Sequence, residues 1–196
     1  NSIKSDTENK NLIKSLQTTG QQENLITIGK ELETETVMLA GLYDPAENGL
    51  TIDMWSNSDG YQIKQLLDRI NNKKLSNYSE KILDIALLTN SYLPENNLSS
   101  KEFLEFKYQY LIKKSDLDLI KKFLSKNISL ENKDKIIRFY TDFYLSTAQL
   151  DKSCEIFDFV KVAKDDYLNN FKIYCLIHQN KREKAQLLFD LASELG

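Results

Sequence analysis

His178 is the single histidine of the chain, so any catalytic device built on imidazole has to use it. A Ser-His-Asp or Cys-His arrangement would need this side chain as its base, and a metal site would contain at most one imidazole ligand. The residue stands at the end of a predicted helix, followed by Gln179-Asn180-Lys181. A histidine is typical there because a cation interacts favourably with the C-terminal end of the helix dipole. We therefore expect a structural role for His178.

The other residue types that commonly carry catalysis do not form a recognisable motif. The sequence contains no glycine-rich phosphate loop, no CxxC pair and no HExxH zinc motif. Two pairs of carboxylates, Asp116/Asp118 and Asp165/Asp166, stand where helices are predicted to begin, and helix capping accounts for them. The sequence predicts a protein that is not an enzyme, with no catalytic residues, no cofactor and no metal site.

Two cysteines, Cys154 and Cys175, are the remaining side chains with reactive potential. They fall in predicted helices 150–163 and 166–179, at about equal distances from a turn centred near Lys164-Asp165. In an antiparallel hairpin they would lie at the same height, and helices packed ~8–10 Å apart allow the short Cα separation of a disulfide. Two buried thiols that fill a tight helix crossing are equally compatible with this spacing.

The segment 41–60 differs in amino-acid composition from the rest of the chain. It is rich in glycine, begins a turn at Asp44-Pro45, and contains the single tryptophan, Trp55, beside Met54. We interpret it as a long loop whose apolar residues dock on helices between residues 58 and 92. The alternative is that Tyr43, Met54 and Trp55 form a partner-binding site, since exposed aromatic residues commonly anchor protein interfaces.

Composition and periodicity predict an all-α fold. Only six Gly and two Pro occur in 196 residues, while helix-forming residues fill segment after segment. We interpret residues 1–22 as a disordered arm or linker and residues 23–196 as a helical-repeat domain, with a weak helix at 23–40. Further helices are predicted from residue 59 to 71 and from 77 to 92. Three consecutive pairs follow at 101–113 with 115–126, 131–147 with 150–163, and 166–179 with 181–195.

These three pairs form a repeat with a measurable period. Ile120, Cys154 and Ala185 occupy corresponding places in the second helix of each pair, at separations of 34 and 31 residues. The spacing is close to the ~34-residue unit of tetratricopeptide repeats. The match is degenerate, because Lys114, Ala148 and Gln179 stand where that family often has glycine. We predict stacked antiparallel helix pairs in a tetratricopeptide-like α-solenoid.

Charge and hydropathy exclude two classes of partner. The net charge is -3 and the isoelectric point is near 5.4, so no overall positive field attracts nucleic acid. No apolar run approaches the ~18 residues that a membrane-spanning helix needs. The sequence therefore predicts a protein or peptide partner, with no nucleic acid and no membrane span.

Three segments together carry a resemblance to known proteins. They are GLYDPAENGLTIDMW at 41–55, ILDIALLTNSYLP at 82–94 and the cysteine-bearing pair that ends in FDLASELG at 189–196. Together they resemble a group of uncharacterised alphaproteobacterial secreted or periplasmic proteins with tetratricopeptide-like helices. The resemblance implies a periplasmic or exported protein, and an oxidising compartment favours a disulfide between Cys154 and Cys175. A cytoplasmic location is the alternative.

The function expected from these patterns is non-catalytic. Stacked helix pairs present extended concave surfaces that bind peptides or other domains. We predict a protein–protein interaction or scaffold module of the cell envelope. The alternative is an accessory helical domain of a cell-wall enzyme whose catalytic part lies outside this chain. A purely structural spacer is a third possibility, and it predicts no groove with concentrated aromatic or charged side chains.

Overall fold

A computed structural model of the protein describes residues 39–94, 96–159 and 165–195. The described residues form eight α-helices and a two-stranded antiparallel sheet. In chain order the elements are β1 (Leu39–Ala40), α1 (Gly60–Asn71), α2 (Asn77–Leu88), β2 (Ser91–Tyr92), α3 (Ser100–Lys114), α4 (Leu117–Lys126), α5 (Asp134–Ser146), α6 (Leu150–Glu155), α7 (Asp166–His178) and α8 (Arg182–Leu195). The predicted all-α class is confirmed. The predicted arm at 1–22 and residues 23–38 of the weak helix lie outside the described residues.

Side-chain caps explain where most of these helices begin. The carboxylates of Asp59, Asp116 and Asp165 accept hydrogen bonds from backbone N–H groups in the first turns of α1, α4 and α7. Ser99 and Glu102 form a reciprocal capping box at the start of α3. The pairs Asp116/Asp118 and Asp165/Asp166 were expected to cap helices, and one member of each pair does so, because Asp supplies the acceptor that the first N–H groups of a helix lack.

Helices α3 to α8 form three pairs of consecutive helices with turns of two or three residues between the members of each pair. Each turn contains one residue in the left-handed region, at Ser115 (φ 54°), Ala148 (φ 56°) and Asn180 (φ 59°). A left-handed residue ends a helix and reverses the chain, which is the role that glycine commonly has. The reversal point therefore recurs in all three pairs, although none of the three residues is glycine.

Three predicted helices differ from the structure at their C-terminal ends. Helix α2 stops at Leu88 instead of Tyr92, because Thr89 becomes extended and Ser91–Tyr92 pairs with Leu39–Ala40. The predicted helix 150–163 is α-helical only to Glu155 and continues as a 3₁₀ turn over Ile156–Asp158. The prediction of a helix at 23–40 is wrong at its last two residues, because Leu39–Ala40 is a strand.

One hydrophobic core runs through the described part of the chain from Ala40 to Cys175. Ile120, Cys154 and Ala185, the three positions related by the sequence repeat, are all buried. The largest buried side chains include Phe103, Tyr108, Phe123 and Tyr140, so aromatic residues supply much of the core volume. The Tyr108 hydroxyl donates to the backbone oxygen of Glu131 at 2.9 Å, which satisfies its polar end.

The extended segment around Gly41 is threaded between helices. Asn127 brackets Gly41, accepting from its N–H at 3.1 Å and donating to its carbonyl at 2.9 Å. Lys107, which is 0% exposed, donates from Nζ to the Ala40 carbonyl at 2.5 Å. Burial lowers the pKa of Lys107 to about 7. A Cβ on Gly41 would lie 2.3 Å from the backbone nitrogen of Asn90, so the close approach requires glycine.

Candidate functional site

The three residues predicted to bind a partner all lie in or beside the loop before α1. Tyr43 and Met54 are half-buried, and the backbone of Tyr43 is fixed by hydrogen bonds to Leu88 and Asn90. Trp55 is also half-buried, with its ring edge-on to Phe103 of α3 at 5.5 Å. We expected Trp55 to pack on the helices between residues 58 and 92, and this aromatic contact lies beyond that range. A partner-binding role for the three residues stays a prediction.

The cysteine pair joins two successive helix pairs. Cys154 of α6 and Cys175 of α7 form a disulfide with a Cα separation of 5.5 Å, which is the bridged one of the two arrangements that their spacing from the turn allowed. Both residues are buried. The bond therefore holds α7 against the preceding pair.

His178 contacts an exposed carboxylate and the neighbouring tyrosine ring. Its Nε2 lies 2.8 Å from Asp151 Oδ1, and its ring stacks on Tyr174 at 6.4 Å. The side chain of Asp151 is 91% exposed, so this pair is in water and is not enclosed in a cleft. Within residues 39–94, 96–159 and 165–195, no three His, Cys, Asp or Glu residues lie close enough together to hold a metal ion.

An open groove lies between α7 and α8. Its volume is about 480 Å³, and it is lined by Ile173 and Ile177 from α7 and by Arg182, Ala185, Gln186 and Phe189 from α8. Ile177 is 50% exposed and Phe189 is 54% exposed, although both are large apolar residues. Exposed apolar side chains that share one groove are typical of a protein-binding surface.

Helix α7 forms a rigid wall of this groove because several contacts fix it to α5 and α6. The guanidinium of Arg138 on α5 pairs with Asp165, the N-cap of α7, and lies over the ring of Tyr167 at 4.8 Å. The Tyr167 hydroxyl donates to Asp142 of α5 at 2.6 Å. Together with the disulfide, these contacts hold α7 against α5 and α6.

Aromatic rings form a ladder along one side of α7. Tyr167, Phe171, Tyr174 and His178 stack in sequence, with centroid separations of 6.4, 5.9 and 6.4 Å. Their spacing of three and four residues places all four on one helix face. Tyr174 is half exposed, so the ladder extends the apolar surface of the C-terminal helix pair.

The exposed face of α8 was not recognised from the sequence. Ala185, the repeat-related position on α8, is buried. Leu187 and Leu191, four residues apart, lie on a different face of the helix, and both are exposed. That i, i+4 spacing was the available signal, because it marks a second apolar stripe on one helix.

Comparisons with known proteins give no family for this chain. No protein-family model matches it, and neither does any curated protein or any solved structure. The described helices include none that is both long enough and apolar enough to cross a membrane.

Proposed function

We propose that this protein is a non-catalytic helical-repeat module of the cell envelope that binds another protein through the groove between α7 and α8. The observation that carries the proposal is that two large apolar side chains, Ile177 and Phe189, are about half exposed in one groove between α7 and α8. The occupant of the α7–α8 groove is, on this proposal, an amphipathic helix of the partner.

The packing between the preceding helix pairs supports a helix as the partner segment in this groove. Helix α5 packs against both α3 and α4, and Lys135 of α5 pairs with Glu105 of α3 at 2.7 Å. Helix α7 is likewise attached to both helices of the pair before it, through Arg138 on α5 and Cys154 on α6. In a tetratricopeptide-like solenoid each helix pair contacts its neighbours in this way. On this proposal the groove between α7 and α8 receives the next helix, and among the described residues it is uncovered.

The side chains in the groove specify the chemistry of the partner helix. Ile177 and Phe189 offer exposed apolar contacts, and the small Ala185 at the base allows a helix to approach closely. The guanidinium of Arg182 has no hydrogen-bond or ion-pair partner among the residues described, and it is the one charged group that lines the groove. We therefore expect apolar residues at i and i+4 on the partner helix, with a carboxylate placed to meet Arg182.

The proposed location rests on one structural observation and on the resemblance inferred from the sequence. A buried disulfide persists in an oxidising compartment, and Cys154 and Cys175 form one. The resemblance to secreted and periplasmic proteins in the segments 41–55 and 82–94 supports the same compartment.

A displayed library of helical peptides tests the groove directly. Selection against the protein should enrich amphipathic helices with an acidic residue, and an enriched peptide should shift backbone amide NMR signals of residues 173–189. Ile177→Gln should weaken its binding by about ten-fold, because buried anchors carry most of an interface's binding energy. Arg182→Glu should weaken it further for peptides that contain the carboxylate.

The matched control is Ile82→Gln on α2, because Ile82 is also a highly exposed isoleucine, at 69%. This variant should bind the peptide with unchanged affinity. Enriched peptides that bind Ile177→Gln as tightly as the unsubstituted protein would refute the groove as the interface, as would a selection that yields no helix-forming peptide.

A further inference from the structure

A second concave site lies on the N-terminal side of the described helices, distinct from the α7–α8 groove. It is a pocket of about 390 Å³ where the end of α1, the loop that follows, α2 and α3 meet. The apolar part of its lining comes from Ile70, Leu75 and Leu83, together with the ring of Tyr110. Four lysines also line it: Lys73, Lys74, Lys113 and Lys114. The volume is within the range of small-molecule sites.

Two of these lysines are held by the protein itself. Lys114 pairs with Asp84, which also accepts a hydrogen bond from the Tyr110 hydroxyl at 2.7 Å. Burial and the nearby Asp84 carboxylate raise the pKa of Tyr110, so its hydroxyl keeps its proton. Lys113 donates from Nζ to the backbone oxygen of Asn71 at the end of α1. These contacts give the pocket a fixed wall on the side of α3.

The other two lysines have no such partners. Lys73 and Lys74 are exposed, and their ammonium groups make no hydrogen bond or ion pair with any residue in the described ranges. The four lysines are offset by Glu80, which lines the pocket, and by Asp84, which pairs with Lys114, in a chain whose net charge is -3. The pocket thus combines a local excess of positive charge with an apolar surface.

We propose that this pocket binds a small amphiphilic anion, in which a carboxylate or phosphate group is attached to an apolar tail. The anionic group lies against Lys73 and Lys74, whose ammonium groups supply charge-assisted hydrogen bonds. The apolar tail packs on Leu75 and Leu83 and is thereby removed from water. A neutral molecule of the same shape lacks the charge-assisted hydrogen bonds to the lysines. A short anion lacks the burial of an apolar tail.

Four probes separate these contributions: octanoate, octyl phosphate, octanol and acetate. Binding is measured by calorimetry, and the site is located from NMR amide shifts. Octanoate or octyl phosphate should bind at millimolar or lower concentration and shift residues 70–75, 80–84 and 110–114. Octanol and acetate should each bind at least about five-fold more weakly, because each lacks one of the two contributions. Comparison of the two octyl anions shows which head group the site prefers.

The substitution Lys73→Gln/Lys74→Gln should weaken binding of the octyl anions by about five-fold or more and should leave octanol unaffected. The matched control, Lys101→Gln/Lys122→Gln, removes the same charge from two exposed lysines outside the pocket and should bind normally. Leu75→Asn should weaken the octyl anions while acetate is unchanged. Absence of binding at millimolar concentration, equal binding of octanol and octanoate, or an equal loss in both lysine variants would overturn the proposal.

Discussion

Reduction of the Cys154–Cys175 disulfide should lower the stability of the protein by a calculable amount. The two cysteines are separated by 21 residues. For a closed loop of this length the chain-entropy relation gives a loss of about 11 cal/mol/K in the unfolded chain, or about 3.3 kcal/mol at 25 °C. Both cysteines stay in place when the bond is reduced, so no side-chain volume is lost from the core. The expected destabilisation is therefore about 3 kcal/mol.

The assay is urea unfolding of the oxidised and the fully reduced protein, followed by far-ultraviolet circular dichroism. With an m-value of about 2 kcal/mol/M, the transition midpoint should fall by about 1.5 M on reduction. Since Cys154 is 1% exposed and Cys175 is 2% exposed, the reduced sample has to be prepared by unfolding and refolding in reductant. Cys154→Ala/Cys175→Ala provides the control, because its midpoint should not respond to reductant.

Coincident midpoints for the oxidised and reduced protein would refute the reasoning. They would mean that the segment between α6 and α7 is already restricted in the unfolded chain, or that the bond does not form. Counting of thiols under denaturing, non-reducing conditions distinguishes these two explanations, because a bridged protein has none to react.

Three further substitutions test individual features of the fold. Ala148→Gly should raise the stability by about 1 kcal/mol in urea unfolding, because Ala148 has a φ of 56° and glycine adopts that conformation without strain; no gain, or a loss, would contradict this. Gly41→Ala should lower the free energy of unfolding by about 2 kcal/mol or more, since the added Cβ would lie 2.3 Å from Asn90 N. An unchanged urea midpoint would show that Gly41 does not lie this close to the backbone of Asn90. Lys107→Met should change the free energy of unfolding in a pH-dependent way. The difference from the unsubstituted protein should favour the variant most below pH 7 and progressively less as the pH rises towards 10.5, because the buried amine has its pKa lowered to about 7 from 10.5 and its protonation disfavours folding at low pH. Loss of the hydrogen bond to the Ala40 carbonyl lowers the stability of the variant at every pH. A difference that does not depend on pH would refute the buried charge.

Local sequence signals were sufficient to predict most of the helices. The caps Asp59, Ser99 and Asp116 mark helix starts by chemistry that acts within four residues. The apolar periodicity of the C-terminal half gave three helix pairs, and the burial of Ile120, Cys154 and Ala185 follows their predicted equivalence. Each of these inferences depends on residues close together in the chain.

Long-range contacts account for what the sequence did not reveal. The strand Leu39–Ala40 exists because β2 and the side chains of Lys107 and Asn127 satisfy the extended segment around it. Gly41 and Asn127 are 86 residues apart, so no local pattern connects them. The same reason explains why the groove between α7 and α8 was missed, since it depends on which faces of two helices are left uncovered.

Photo-cross-linking in the native cells tests the proposed interaction most directly. A benzophenone side chain is placed at Phe189, in the α7–α8 groove, and in a second variant at Ile82, the exposed position on α2. We expect one partner to be linked through position 189 and not through position 82, with the linked residue in an amphipathic helix that contains a carboxylate, and we expect the product to be lost in Ile177→Gln. Equal products from positions 189 and 82, no product from position 189, or a product that Ile177→Gln does not reduce would contradict a helix-binding groove.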